Sequence, residues 1–198
     1  MPTGVAMRDA RVQLFEAAER ILLREGPSGL TSRALTAEAG CAKGVLHRHF
    51  ADFDSFLCEL VLDCARRFET TGSSLLYAAG SGAVEKNVTD VLISLFDSVA
   101  LGIVSLLIFR DDLLAKIRNV RPSGVPLLTD AASAVADYLR AERNIGRVGV
   151  DADIDVLAPT LIGAVHLLCA DRSSRAPDPV EIRHVVATVM SGALVDHP

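Results

Sequence analysis

Arg33, Lys43, His47, Arg48 and His49 gather cationic and imidazole side chains into one short stretch near the N-terminus. Ammonium and guanidinium groups neutralise phosphate oxygens, and they also donate to the acceptor edge of guanine in the major groove. Thr31, Ser32, Gly44 and Val45 lie in the same stretch and complete the candidate contact set. This is the chemistry of binding. Bond-breaking chemistry needs a nucleophile with a base, or a carboxylate pair in a cleft. The sequence holds no GxSxG, HExxH, P-loop or GxGxxG pattern. Asp111, Asp112, Asp151, Asp153 and Asp155 fall near expected helix starts, where carboxylates commonly face solvent and favour the helix dipole. No enzyme activity, cofactor or metal is expected.

Two helices must position those side chains. In LTSRALTAEAGCAKGVLHRHF, residues 30–50, Thr31 can cap a first helix by accepting from an unpaired amide of its opening turn. Leu35 and Ala39, four residues apart, share an inward face. Gly40 suits the left-handed backbone that ends a helix and turns the chain. A second helix is expected over Ala42 to His49, with Leu46 and Phe50 inward and Lys43, Val45, His47 and His49 free to face outward. Lys43, in its first turn, is the expected principal contact. This spacing predicts a helix-turn-helix, whose second helix enters the major groove. A plain helical hairpin with a solvated basic face has the same periodicity.

Upstream, Arg8 to Glu25 carries Leu14, Phe15, Ala18, Ile21 and Leu22 at helical spacing, and Gly26-Pro27 stops it. Downstream, Asp52 can cap a long helix through Phe56, Leu57, Leu60, Val61 and Cys64 towards Leu76. The motif is thus third in a three-helix unit that feeds straight into a connecting helix.

With those pieces in place, residues 8 to 60 resemble the DNA-binding domain of the TetR (tetracycline repressor) family. The matching segments are AAERILLREG at 17–26, LTSRALTAEAG at 30–40 and KGVLHRHF at 43–50. The resemblance covers about a quarter of the chain; beyond it only length, helical character and layout agree. Four positions depart from the family pattern. Ala42 stands where a capping serine is frequent, Val45 where a hydroxyl residue is frequent, His47 where a tyrosine reaches a phosphate, and Phe53 where a lysine is usual. Phosphate contacts supply much of the affinity of such proteins, so the burden shifts to Arg33, Lys43, Arg48 and the two histidines. An imidazole carries a full charge only on the acid side of neutrality.

The formal charge is −5 and the sequence pI about 5.5, which by themselves do not suggest a nucleic-acid binder. The charge is uneven, however. Residues 1–50 hold seven Lys/Arg against five Asp/Glu, and residues 51–198 hold 13 against 20. An acidic body with a mildly basic head fits a protein that meets DNA only at its N-terminus. Cys41, Cys58, Cys64 and Cys169 show neither CxxC nor metal-ligand spacing and read as small buried hydrophobes of a reducing cytosol. A thiol sensor on Cys41 or Cys58 is the alternative. The N-terminal residues lead directly into an amphipathic helix, so no signal peptide is expected. Leu92 to Phe109 is apolar but is interrupted by Ser94, Asp97, Ser98 and Ser105, and reads as buried helices and not a membrane span.

Beyond Gly72 the chain reads as helices with short breaks at Gly80-Ser81-Gly82, Arg121-Pro122-Ser123-Gly124 and residues 144–151. The run from Val91 to Ile108 is expected to bend around Gly102 and continue through Asp111 to Val120. A helix from Val125 to Arg143 should turn Leu128, Ala132, Val135, Ala136 and Leu139 inward. The last two helices, 153–170 and 179–194, carry apolar bands wider than one stripe, with small residues that allow close approach, and suggest a second copy as partner. The resemblance implies a four-helix bundle across a two-fold axis there. It also implies an effector enclosed among the central helices, with Phe96, Leu106, Phe109, Leu113, Tyr138 and His166 as candidate lining. His166 is the expected polar anchor, because a lone polar group on an apolar face must find a partner.

The expected protein is all-α. An N-terminal three-helix DNA-binding domain with a helix-turn-helix occupies residues 1–52, and a C-terminal helical effector-binding and dimerisation domain occupies 53–198. The resemblance implies a cytoplasmic transcriptional regulator. It would be a repressor binding a palindromic double-stranded DNA operator as a homodimer, released by a small-molecule effector, with no membrane partner. The alternative is a small-molecule-binding helical protein whose operator binding is weakened or lost.

Overall fold

A computed structural model describes residues 10–96, 98–122, 124–170 and 178–195. The described residues form ten α-helices and no named strand, apart from an isolated antiparallel bridge between Val148 and Leu194. In chain order the helices are α1 (Ala10–Glu25), α2 (Ser32–Glu38), α3 (Lys43–His49), α4 (Phe53–Tyr77), α5 (Val84–Leu95), α6 (Ser98–Ile108), α7 (Asp111–Arg118), α8 (Leu128–Asn144), α9 (Ile154–Ala170) and α10 (Pro179–Met190). The fold is all-α, as the periodicity predicts. Arg8, in the expected first helix, lies outside the described residues.

The helices gather into two compact units, Met1–Asp63 with Ser98–Pro122, and Cys64–Asp97 with Ser123–Pro198. In the first, α1 turns Leu14, Ala17, Ala18, Ile21 and Leu22 inward, all fully buried. Gly26, at φ 71°, ends it as expected, and Pro27–Gly29 form a single 3-10 turn. The apolar run after Val91 breaks between Leu95 and Ser98, not at Gly102. Gly102 is buried inside α6, and its bare backbone serves a close approach: a Cβ there would sit 3.1 Å from Leu22 Cβ on α1. The break instead follows α5's C-terminus, where Phe96 leaves helical geometry. At the head of α4, Asp52 caps as expected by accepting from Ser55 N at 2.6 Å. Asp54 joins α4 to Arg110 (2.8 Å) and Lys116 (3.1 Å).

In the second unit α8 packs on α9, and α10 on α5 and α9. α8 starts at Leu128, three residues later than the periodicity predicts. Leu127 holds φ 70°, its amide donating to Asp130 Oδ2 at 3.1 Å, and this turn takes residues 125–127 out of the helix. Of α8's expected inner face, Val135, Ala136 and Leu139 are buried, joined by Ala131, Tyr138 and Glu142. Glu142 is fully buried. It accepts from Gly80 N at 3.2 Å and pairs with Arg147 at 3.3 Å, while Tyr138 takes a hydrogen bond from Asn87 at 2.9 Å. Burial first, then the adjacent Glu142 carboxylate, push the Tyr138 phenol well above its ordinary pKa. Asp178 caps α10, accepting from Val180 N while Glu181 returns the bond to Asp178 N, both at 2.9 Å. That reciprocal pair, with Pro179 in the first turn, fixes the helix start.

Among the described residues no single helix is long and apolar enough to cross a membrane, and no cluster of three His, Cys, Asp or Glu could hold a metal ion. Burial pushes the Cys41 and Cys58 thiols up, and Cys169 to about 11. Raised pKa values lower the thiolate fraction on which thiol sensing depends.

Candidate nucleic-acid interface

Thr31 has extended backbone and its hydroxyl accepts from Ala34 N at 3.1 Å, so α2 is capped as the sequence predicts. Leu35 is fully buried, and the buried Thr36 hydroxyl donates back to the carbonyls of Ser32 (3.0 Å) and Arg33 (3.2 Å). Gly40, at φ 63°, turns the chain, and Cys41 N closes the turn on Thr36 O at 3.0 Å. α3 then begins at Lys43. Ala42 precedes it with extended backbone and, lacking a side-chain acceptor, leaves the helix uncapped. Leu46 is fully buried, and Phe50 closes the helix with its amide on Leu46 O at 2.9 Å.

This packing decides which residues face solvent. Lys43, Gly44, His47 and Arg48 are exposed on α3, and Thr31 and Arg33 are exposed at the start of α2. Ser32, Val45 and His49 are half-buried. A two-turn helix presenting a lysine, a glycine, a histidine and an arginine outward can meet both phosphates and base edges.

The supports of α3 combine residues that periodicity marks as inward, Phe15, Phe50 and Phe56, with Phe53, Glu38 and Arg11, which it does not. Phe15, Phe50, Phe53 and Phe56 form one aromatic cluster. The Phe50 ring meets Phe56 edge-on at 5.1 Å, Phe15 lies 5.7 Å from Phe56, and Phe53 stacks on Phe56 at 5.8 Å. Phe53 thus packs at the head of α4. Glu38, at the end of α2, takes Arg20 at 2.7 Å and Arg24 at 3.0 Å from α1, and these hold its carboxyl below the usual range. Arg11 donates to His49 O and stacks on Phe50. The sequence did carry a signal for Arg11: a cation in a helix's first turn opposes the dipole, so something else must hold it.

The candidate effector residues fall in both units. Leu106 and Leu113 are buried in the first unit. Phe109, in the turn between α6 and α7, is 82% exposed and so cannot line an enclosed cavity in this conformation, a correction to its expected place. Phe96, Tyr138 and His166 belong to the second unit. Tyr138 is committed to the Asn87 and Glu142 network. His166 stands 6.0 Å from the Phe96 ring, its Nδ1 buried with no partner among the described residues, and burial pushes its pKa down. A groove of about 300 Å³ opens between α4 and α8, lined by Phe68, Gly72, Leu76, Ala134 and the acids Glu69, Asp130 and Asp137. None of the predicted lining residues reaches it.

Residues 14–57 match the family model described as bacterial regulatory proteins, tetR family. That segment, from α1 to the head of α4, is what the chain shares with this family. No curated protein matches it by sequence. Solved structures match along nearly its whole length, and their low identities speak for the fold alone. The fatty acid degradation regulator FadR from Bacillus halodurans shares 15% identity, with 97% of this chain and 98% of that one covered and a TM-score of 0.72. A TetR transcriptional regulator from Agrobacterium tumefaciens shares 18%, covering 94% and 95% at 0.61. A gamma-butyrolactone receptor described as ArpA-like shares 19%, covering 93% and 88% at 0.64. The family match ends inside α4, just past Phe56, so it takes in the whole aromatic cluster.

Proposed function

We propose that this protein is a cytoplasmic transcriptional repressor, not an enzyme, and that it grips a palindromic operator as a homodimer and lets go when a small molecule binds its C-terminal helices. The outward face of α3 carries the proposal: Lys43, Gly44, His47 and Arg48 are exposed on a helix anchored from below by Leu46 and Phe50. Lys43 leads, with Thr31, Ser32, Arg33, Val45 and His49 around it. Lys43→Ala should weaken operator binding by roughly 5- to 150-fold if the ammonium reaches a base edge, where such a contact is worth about 1–3 kcal/mol. Fluorescence anisotropy with the duplex upstream of the protein's own gene reads this directly. An unchanged dissociation constant would remove Lys43 from the contact set.

The dimer reading is supported by the solvent side of α9 and α10. Val156, Leu167 and Val180 are 59%, 74% and 62% exposed, and Pro159 and Gly163 lie on the same side of α9. A Cβ at Gly163 meets nothing within 4 Å of its own chain. Gly163→Leu should therefore leave the monomer fold intact and push a facing helix away. Light scattering should give the wild type about twice the 21.0 kDa chain mass and the variant a shift towards one chain. A wild type that runs as one chain at micromolar concentration would end the dimer reading.

The effector reading rests on His166, a buried imidazole nitrogen without a partner beside an aromatic ring. Such a group suits a mainly apolar ligand with one hydrogen-bonding atom. The second reading, an effector-binding protein with weakened operator binding, is favoured by the uncapped start of α3 and by His47 in place of a phosphate-reaching tyrosine. A random-sequence DNA library from which the wild type enriches nothing would establish it.

A further inference from the structure

We propose that Arg11 of α1 is a positioning residue for the recognition helix, setting its orientation so that specific DNA is told from random DNA. The inference rests on the DNA-binding reading above. α3 spans seven residues and starts without a side-chain cap. An isolated helix of two turns is unstable in water, so its shape must come from its neighbours. Its N-terminal end is tied to α2 by the turn that Cys41 N closes on Thr36 O. At its C-terminal end the helix has carbonyls without intrahelical partners, and Arg11 Nη1 donates to one of them, His49 O, at 3.2 Å. A guanidinium there answers both the free carbonyl and the negative end of the helix dipole.

The same guanidinium lies 4.5 Å from the centroid of the Phe50 ring, and it also pairs with Glu59 of α4. One side chain from α1 thus reaches the end of α3, the residue that closes it and the helix that follows. The planar group makes these contacts at once: its face stacks on the ring while its edges donate to the carbonyl and the carboxylate. A lysine has the charge but neither the plane nor the fork. Its ammonium could keep Glu59 or His49 O, and would leave the helix end free to rotate on Phe50.

The test uses the full chain and a duplex enriched by the wild type from a random-sequence library, with a scrambled duplex of equal length beside it. Arg11→Lys should lower the ratio of specific to scrambled affinity roughly tenfold, the scale of one lost hydrogen bond to a charged group. The scrambled duplex should bind as before, and the slope of affinity against salt should not change. Hydrogen exchange should quicken at the amides of residues 47–50 and stay constant through α1. Glu59→Gln should move the ratio in the same direction by less. If Arg11→Lys proves unfolded, Glu59→Gln still decides the matter. An unchanged ratio overturns the assignment. So does a parallel fall of both affinities with a salt slope smaller by about one, which marks a phosphate contact. Should the wild type enrich no sequence, the DNA-binding reading itself fails, and the assignment with it.

Discussion

Phe56→Ala should cost the N-terminal unit about 3–5 kcal/mol, the range for emptying a buried phenylalanine site. The ring is fully buried and sits within 6 Å of three others, from α1, from the residue that closes α3 and from the first residue of α4. Aromatic pairs of this geometry add about 0.5–1.5 kcal/mol each beyond burial. Little can collapse into the space left, because the neighbours are rigid rings. Against a typical stability of about 5–15 kcal/mol, the loss should leave the recognition helix without its floor. Urea unfolding followed by circular dichroism should show an early transition, and DNA binding should disappear with it. Phe56→Leu, which keeps most of the volume, should lose much less. A Phe56→Ala variant unfolding within roughly 0.5 kcal/mol of wild type, the scatter of ordinary surface changes, would show that the cluster is not what supports α3.

Glu142→Ala should have an effect of similar size in the second unit, about 3 kcal/mol, because removing one member of a buried pair strands the other. Here it also strands Gly80 N, and it removes the carboxylate beside the buried Tyr138 phenol. Arg147 keeps 19% of its side-chain surface in water and also holds the carbonyl of Gly82, which softens the loss. Glu142→Gln keeps an acceptor for Gly80 and should cost less. The double variant Glu142→Leu/Arg147→Met should recover much of the stability, since an apolar replacement leaves nothing unpaired. Thermal melts of the three variants give the comparison. Equal melting points for Glu142→Ala and wild type would mean that water already serves these groups.

The two networks differ in how far the sequence disclosed them. Leu14, Ala18, Ile21, Leu35 and Leu46 were readable because an amphipathic helix writes its buried face at three- and four-residue intervals. Caps were readable for the same local reason: Thr31 and Asp52 each bond an amide three residues on. The outward set on α3 followed once Leu46 and Phe50 were known to point in. Glu142 looked like one more polar residue near the end of α8, and its partners stand at 80, 138 and 147. Periodicity carries no information about a pair brought together by helix packing. Arg11 and His49 are likewise 38 positions apart. The expected bend at Gly102 failed for a related reason: glycine reads as a breaker from the sequence, whereas here a neighbouring helix needed the space. Phe109 was placed among lining residues by analogy of layout, and layout alone cannot tell which side of a chain break faces out.

That space at Gly102 bears on how the chain can change over generations. With a Cβ at 102 only 3.1 Å from Leu22 Cβ, the contact is tighter than side chains normally tolerate, and both residues are buried. Change at either position alone carries a cost: growth at 102 requires Leu22 to give by a few tenths of an ångström, and shrinkage at 22 leaves a void. Taken together they are free along one line, where volume added at 102 is volume given up at 22. In a lineage of such chains the two sites should therefore vary together, a side chain gained at 102 going with volume given up at 22.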